Sequence, residues 1–193
     1  MGKIPSRDEA YKLFRKYNKS QNLINHALAV EGVMRHIADI YGEDKELWGV
    51  VGLLHDIDYE KYPEEHCKKA EQILADEGID EMIIHAVASH GYEICHNVKP
   101  ETTMEKVLYT IDELTGLVAA TALVRPSKSV MDMKLKSVKK KWKDKSFAAG
   151  VDRDLITKGA DMLGLEVGKV IEYSIMGMRD VAEDIGLKGE ADG

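Results

Sequence analysis

From residue 6 to residue 186 the apolar residues of this chain recur every three or four positions, and no stretch alternates apolar and polar side chains for more than four residues. That spacing is the signature of a helix with one buried face. It argues against a sheet-based fold and makes the fold class all-α. No internal repeat or low-complexity tract interrupts it.

The pattern resolves into successive helices. In "SRDE", Ser6 can cap a helix while Glu9 reaches back to it, which predicts a helix from Ser6 to about Tyr17. A second helix, residues 22–41, carries Leu23, Ala27, Val30, Val33, Met34 and Ile37 on one face and stops at Gly42. A third covers 44–56, a fourth 64–78 with Gly78 as its stop, and a fifth 80–90. A longer one, from about Thr102 to Leu123, turns Met104, Val107, Leu108, Ile111 and Leu114 toward a core. After "VRPSKS" the spacing predicts a basic helix near 128–142 and two more over 153–164 and 166–186.

A chain of 193 residues can bury one sizeable core but is short for two. Its 44% hydrophobic and 32% charged residues fit a soluble globular protein and exclude wholesale disorder. No apolar run approaches membrane-spanning length, so no membrane partner is expected. The two cysteines, Cys67 and Cys95, and the absence of an apolar leader give no disulfide framework, so the expected compartment is the cytoplasm. The net charge of -7 is unevenly spread: residues 125–145 hold nine Lys or Arg against Asp132 and Asp144. One basic segment thus sits on an acidic body.

Histidine and aspartate positions become informative on this frame. His26 falls on the apolar stripe of the second helix, with Val30 and Val33 four and seven residues on. His55 and Asp56 end the third helix, behind Leu47, Val50, Val51 and Leu54. His66 shares a face with Ala70 and Ile73, His90 with Ile83, Ala86 and Val87, and Asp112 lies four after Leu108. Six potential ligands therefore point inward from five helices. His36, His85 and His96 fit the pattern less well.

Burying a carboxylate beside an imidazole requires compensation, which either a metal ion or a plain hydrogen-bonded pair can supply. Imidazole nitrogen and carboxylate oxygen suit Fe, Mn, Co, Ni or Zn, and a helical bundle is a natural place to converge them. Four His and two Asp suffice for two adjacent cations with a shared carboxylate, leaving positions open for water and substrate. Two such ions can generate a hydroxide nucleophile and clamp a phosphoryl oxygen. Arg125 and Lys128 follow the Asp112 helix and are candidates to hold a phosphate at the mouth of the site. Nucleic acid is a rival partner for the lysines and Trp142, but the acidic body and the lack of a recognisable module weigh against it.

The order His26, then His55 and Asp56, then Asp112 resembles the H...HD...D signature of the HD superfamily of metal-dependent phosphohydrolases, an all-helical group. The resemblance covers about residues 20–125. It implies a single HD-type helical bundle, residues 1–193, with that segment as core and a C-terminal helical extension over about 126–187. It implies that His26, His55, Asp56 and Asp112 bind one divalent transition metal ion. His66 and His90 stand where two-metal branches, such as bacterial HD-type diadenosine tetraphosphate hydrolases, carry two further histidines. A second ion on His66, His90 and Asp56 is then implied. "HDIDYEKYPEEH", "DELTGLVAATALVRPSKS" and "KSVKKKWKDKSFAAGVDRD" are similar to a branch known only as predicted HD-superfamily hydrolases, which brings no substrate. Many relatives read HDIG where this chain has "HDID", with Asp58 for glycine. "HGY" at residues 90–92 is not the extended GYP motif of the cyclic-dinucleotide branch, which argues against cyclic-di-GMP. Lys61, five residues after Asp56 where several relatives use a two-residue offset, is a third candidate for holding phosphate.

The expected function is hydrolysis of a small phosphoester, a nucleotide foremost, through a metal-bound hydroxide with Asp56 at the catalytic centre. Two other functions stay open on this reading. One is oxygen chemistry at a di-iron centre on the same fold; the other is a regulatory module that binds metal or nucleotide without turnover. Periodicity gives neither the metal, the substrate nor the oligomeric state.

Overall fold

The computed structural model describes residues 2–189, and within them the secondary structure is helical apart from two isolated bridges, Lys3 with Ile79 and Tyr92 with His96. Helix α1 runs Arg7–Tyr17, and Ser6 and Glu9 form the reciprocal capping box that "SRDE" predicts. Helix α2, Gln21–Tyr41, ends at Gly42 in the left-handed conformation, φ 70°. Asp44 caps α3, Lys45–Leu54, by accepting from the amides of Glu46 and Leu47.

A run of turns, residues 55–62, leads into a short 3₁₀ turn, Pro63–Glu65, and then α4, Lys68–Asp76. Asn18 braces this run. Its side-chain amide donates to the Ile57 carbonyl at 2.9 Å, and its oxygen accepts from the Glu60 amide at 3.4 Å. Helix α5, Glu81–Ser89, is capped by Asp80, and α6, Thr103–Leu123, by a second capping box between Thr102 and Glu105. The last third supplies α7, Leu135–Lys143, α8, Arg153–Leu163, and α9, Val167–Asp180.

The two 21-residue helices organise the core. α2 packs on α3, α6 and α9, while α6 also takes α8 against its other side. The α2 and α9 backbones approach closely where Gly32 meets Gly177: a Cβ on Gly177 would stand 2.5 Å from the Val33 Cα. The C-terminal helix α9 is thereby fastened to the helix that carries His26. Among the described residues no helix is long and apolar enough to cross a membrane.

Three boundaries differ from the helical spacing. The predicted fourth helix is broken at His66 and Cys67, where Cys67 takes a positive φ of 67°. The basic helix starts at Leu135 rather than near residue 128. Upstream of it, the Val130 amide donates to the Leu187 carbonyl and the Ser129 hydroxyl to that of Lys188, a long-range pairing that replaces helical bonds. Helix α9 stops at Asp180, and residues 181–186 continue as turns that bury Ala182 and Ile185.

Candidate metal centre

The six sequence-derived ligands come from four kinds of position: helix interiors, helix ends, a turn and a joint. His26 lies within α2 and Asp112 in the middle of α6, both facing the same interior cleft. His55 is the C-terminal cap of α3, and Asp56 follows in the turn. His90 caps the C-terminus of α5. His66 sits on the non-helical joint between the 3₁₀ turn and α4, not on a helix face with Ala70 and Ile73 as the periodicity predicts. The run "EEHCKKAEQILADEG" is helical in spacing, yet Pro63 and the Cys67 backbone divert its first residues.

The structure brings all six together. His26 Nε2 is 2.9 Å from Asp112 Oδ1, 3.2 Å from His55 Nε2 and 3.6 Å from Asp56 Oδ2. His55 Nε2 is 3.3 Å from Asp56 Oδ2 and 3.4 Å from Asp112 Oδ1. On the other side of Asp56, Oδ1 stands 3.4 Å from His66 Nε2 and 3.5 Å from His90 Nε2, and these two nitrogens are 3.1 Å apart. Asp56 thus gives one oxygen to a group of four and the other to a group of three.

Those spacings are the edges of a coordination shell. Ligands about 2.1 Å from one ion lie about 3.0 Å apart at right angles and about 3.4 Å apart at the tetrahedral angle. The tautomers fit as well. His55 Nδ1 donates to the Gly52 carbonyl at 2.7 Å, and His90 Nδ1 donates to that of Val87, because a carbonyl can only accept. His66 Nδ1 is held 2.8 Å from Asp58 Oδ1. With the protons on Nδ1, the Nε2 lone pairs of these three histidines face carboxylate oxygens, and between Asp56 Oδ1, His66 Nε2 and His90 Nε2 none of the three atoms is a donor. A cation resolves that convergence, so the residues present fit a metal ion.

The electrostatics agree. Burial opposes a charged His55, yet the neighbouring Asp56 and Asp112 outweigh it and raise its proton affinity well above the ordinary imidazole value. Burial likewise opposes ionised Asp56 and Asp112, and the histidines around them hold both well below the ordinary carboxylate range. At His66 burial is again outweighed, first by the bond to Asp58 and then by the Asp56 charge, and its affinity for a proton is raised. The pocket attracts positive charge, whether a proton or a metal ion.

Three residues of the site escape the sequence reading. Asp58 is fully buried, accepts the Ala70 amide at 2.9 Å through Oδ2 and orients His66 through Oδ1. Its place one residue past Asp56 and Ile57 marked it only as a departure from glycine. Glu113, beside Asp112 on α6, lines the cleft, and burial followed by the Asp112 charge raises its proton affinity. Tyr59 stacks edge-on to the His66 ring, centroids 5.1 Å apart. The cleft, about 360 Å³, is completed by Leu23, Ile94 and Val151.

The three expected phosphate-holding cations are placed elsewhere. Arg125 lies thirteen residues beyond Asp112, about 20 Å along a helix axis. Its guanidinium is engaged by Asp132 at 2.6 Å and by the Ser137 hydroxyl at 2.9 Å. Lys128 is exposed in the loop beyond α6. Lys61 turns toward α1, donating to the Lys16 carbonyl at 3.4 Å and lying 4.8 Å from the Tyr17 ring. Among the described residues no Lys or Arg lines the cleft. His36, His85 and His96 pair instead with Asp180, Glu105 and Glu71.

No solved structure matches the chain. The family model described as HD domain matches residues 23–117, a segment that opens at the start of α2, closes five residues after Asp112 and contains every one of the six converging side chains. With that match added to the all-helical bundle and the H...HD...D order at its centre, the chain is an HD-domain protein, of a superfamily of metal-dependent phosphohydrolases.

Proposed function

We propose that the chain is a metal-dependent phosphohydrolase acting on a small phosphoester, with a nucleotide as the first class to test. The observation that carries this reading is Asp56, whose two oxygens serve two separate groups of donors on either side of it. His26, His55, Asp56 and Asp112 would hold one divalent ion, and Asp56, His66 and His90 a second. When bound, such ions supply an acidified water as nucleophile and polarise a phosphoryl oxygen.

Charge favours two ions over one for this substrate class. Asp56, Asp112 and the Asp58 that holds His66 carry three negative charges, which a single divalent ion does not cancel. A second ion leaves a positive surplus to attract an anion, in a cleft that no lysine or arginine among the described residues lines. The chain's own residues do the rest. The backbone carbonyls of Gly52 and Val87, with Asp58, fix the three imidazole rings. Leu23, Ile94, Val151 and Tyr59 offer walls for a flat organic group and limit water around it. Glu113, outside the ligand set, can hold or give a proton to the leaving oxygen.

The test begins with metal content per chain, by plasma mass spectrometry, on protein purified anaerobically without chelator or metal resin. About two equivalents of a transition metal are expected, followed by phosphate release from a panel of phosphoesters with that metal. Asp56→Ala should abolish this turnover while the circular dichroism stays helical. Undiminished turnover in that variant sinks the assignment, and oxygen uptake without phosphate release moves the chain to oxygenase chemistry.

A further inference from the structure

One thiol at the cleft, Cys95, and one buried beneath it, Cys67, are used by neither the metal reading nor the proposed reaction. Cys67 Sγ and Cys95 Sγ lie 3.4 Å apart, although 28 positions separate them in sequence. Cys67, between His66 and α4, is fully buried, whereas Cys95 is exposed and lines the cleft. Their approach is built in. A Cβ on Gly91 would stand 2.5 Å from one sulfur and 2.6 Å from the other, so only glycine lets both settle there. The Gly91 carbonyl in turn accepts the amides of Ile94, Cys95 and His96, each at 3.0 Å, which folds the loop back and holds Cys95 over Cys67.

We propose that Cys95 and Cys67 form a peroxide-oxidisable pair, an oxidation site that closes to a disulfide tying the loop after α5 to the start of α4. The Cys95 sulfur attacks the O–O bond of a hydroperoxide. It becomes a sulfenic acid, while the other peroxide oxygen leaves as water, or as an alcohol from an organic peroxide, with the thiol proton. The Cys67 sulfur then attacks the Cys95 sulfur, the S–O bond breaks, and the hydroxyl leaves as water with the Cys67 proton. Two thiols are oxidised, and the peroxide takes up both electrons. Closing the bond requires the sulfurs to draw in by about 1.4 Å. The division of labour follows from exposure: solvent reaches Cys95, and Cys67 is reached through Cys95.

The experiment uses the full chain, reduced and stripped of metal so that no redox metal competes for the oxidant. After hydrogen peroxide, free thiols are blocked with N-ethylmaleimide and the digest is read by mass spectrometry. A peptide joining Cys67 to Cys95, lost on treatment with dithiothreitol, is expected. Cys67→Ser should leave Cys95 as a sulfenic acid that dimedone traps, and Cys95→Ser should leave Cys67 reduced. Gly91→Ala should cost the crosslink, because the added methyl parts the sulfurs. Circular dichroism checks each variant, and the wild-type crosslink decides the matter if a variant does not fold. Over-oxidation of Cys95 without any crosslink overturns the proposal, as does oxidation of Cys67 in Cys95→Ser as fast as in wild type.

Discussion

Asp58 occupies the place where many HD relatives have glycine, and its carboxylate divides its two oxygens between the His66 ring and the Ala70 amide. One side chain therefore fixes both a metal-facing imidazole and the first turn of α4. Asp58→Asn keeps the shape but removes the charge that holds the His66 proton on Nδ1. It should weaken the ion on His66 and His90 by about 10- to 100-fold while sparing the group around Asp112. Titration calorimetry checks this: one equivalent bound as in wild type and one weakened is the expected result, and equal weakening of both contradicts it. His26, His55, Asp56, His90 and Asp112 could be singled out from the sequence because each ends or lines a regular apolar helix. The partnership of Asp58 with His66 was not legible, since the residues between them form turns whose path no periodicity encodes. The phosphate-holding roles given to Arg125, Lys128 and Lys61 failed for the same reason. Proximity in sequence to a ligand says little about direction, whether a helix carries the chain away, as before Arg125 and Lys128, or a turn swings the side chain toward α1, as at Lys61.

At the level of elements, the strongest sequence signals were the ends. The Ser6–Glu9 capping box and the stop at Gly42 were legible in the sequence, while the box between Thr102 and Glu105 emerged in the structure. Where boundaries were missed, at residues 64–67 and 128–134, long-range bonds or a local backbone diversion overrode helical spacing. Glu105 shows how much one cap can carry. It accepts the amides of Glu101 at 2.6 Å and Thr102 at 3.0 Å, and faces His85 Nδ1 at 2.8 Å. Burial opposes its charge, but those amides and His85 hold its carboxyl below the ordinary glutamate value. A carboxyl lowered on folding contributes stability that is complete above its unfolded pKa and is lost as pH falls through the folded one. Glu105→Gln should therefore cost about 1 kcal/mol near neutral pH. Chemical denaturation of both proteins should show the gap narrowing on acidification below about pH 4.3. A gap independent of pH would mean that Gln fails for reasons other than charge.

Across the whole molecule, the converging donors belong to five segments: α2, the end of α3, the joint before α4, the end of α5 and α6. Ions bound among them, as proposed, would stabilise the folded chain and not the unfolded one. A metal held at about 100 times its Kd contributes about 2.7 kcal/mol. Stripping it with chelator should lower Tm by about 5 to 10 °C, read by calorimetry with and without added metal. An unchanged Tm after verified removal would mean that packing alone holds the five segments in place. The two groups of donors are also mounted differently. Two of the first group's donors, His26 and Asp112, project from the bodies of two long helices and His55 from the tip of a third, whereas His66 hangs on a bend and His90 on a helix tip. A stiff mount selects an ion by its radius and angles, and a compliant one adapts to what arrives. Filling should then be ordered, the stiff position first, and exchange should be lopsided. Protein loaded with manganese and challenged with zinc should surrender one equivalent long before the other, so the resting molecule need not carry two ions of the same element.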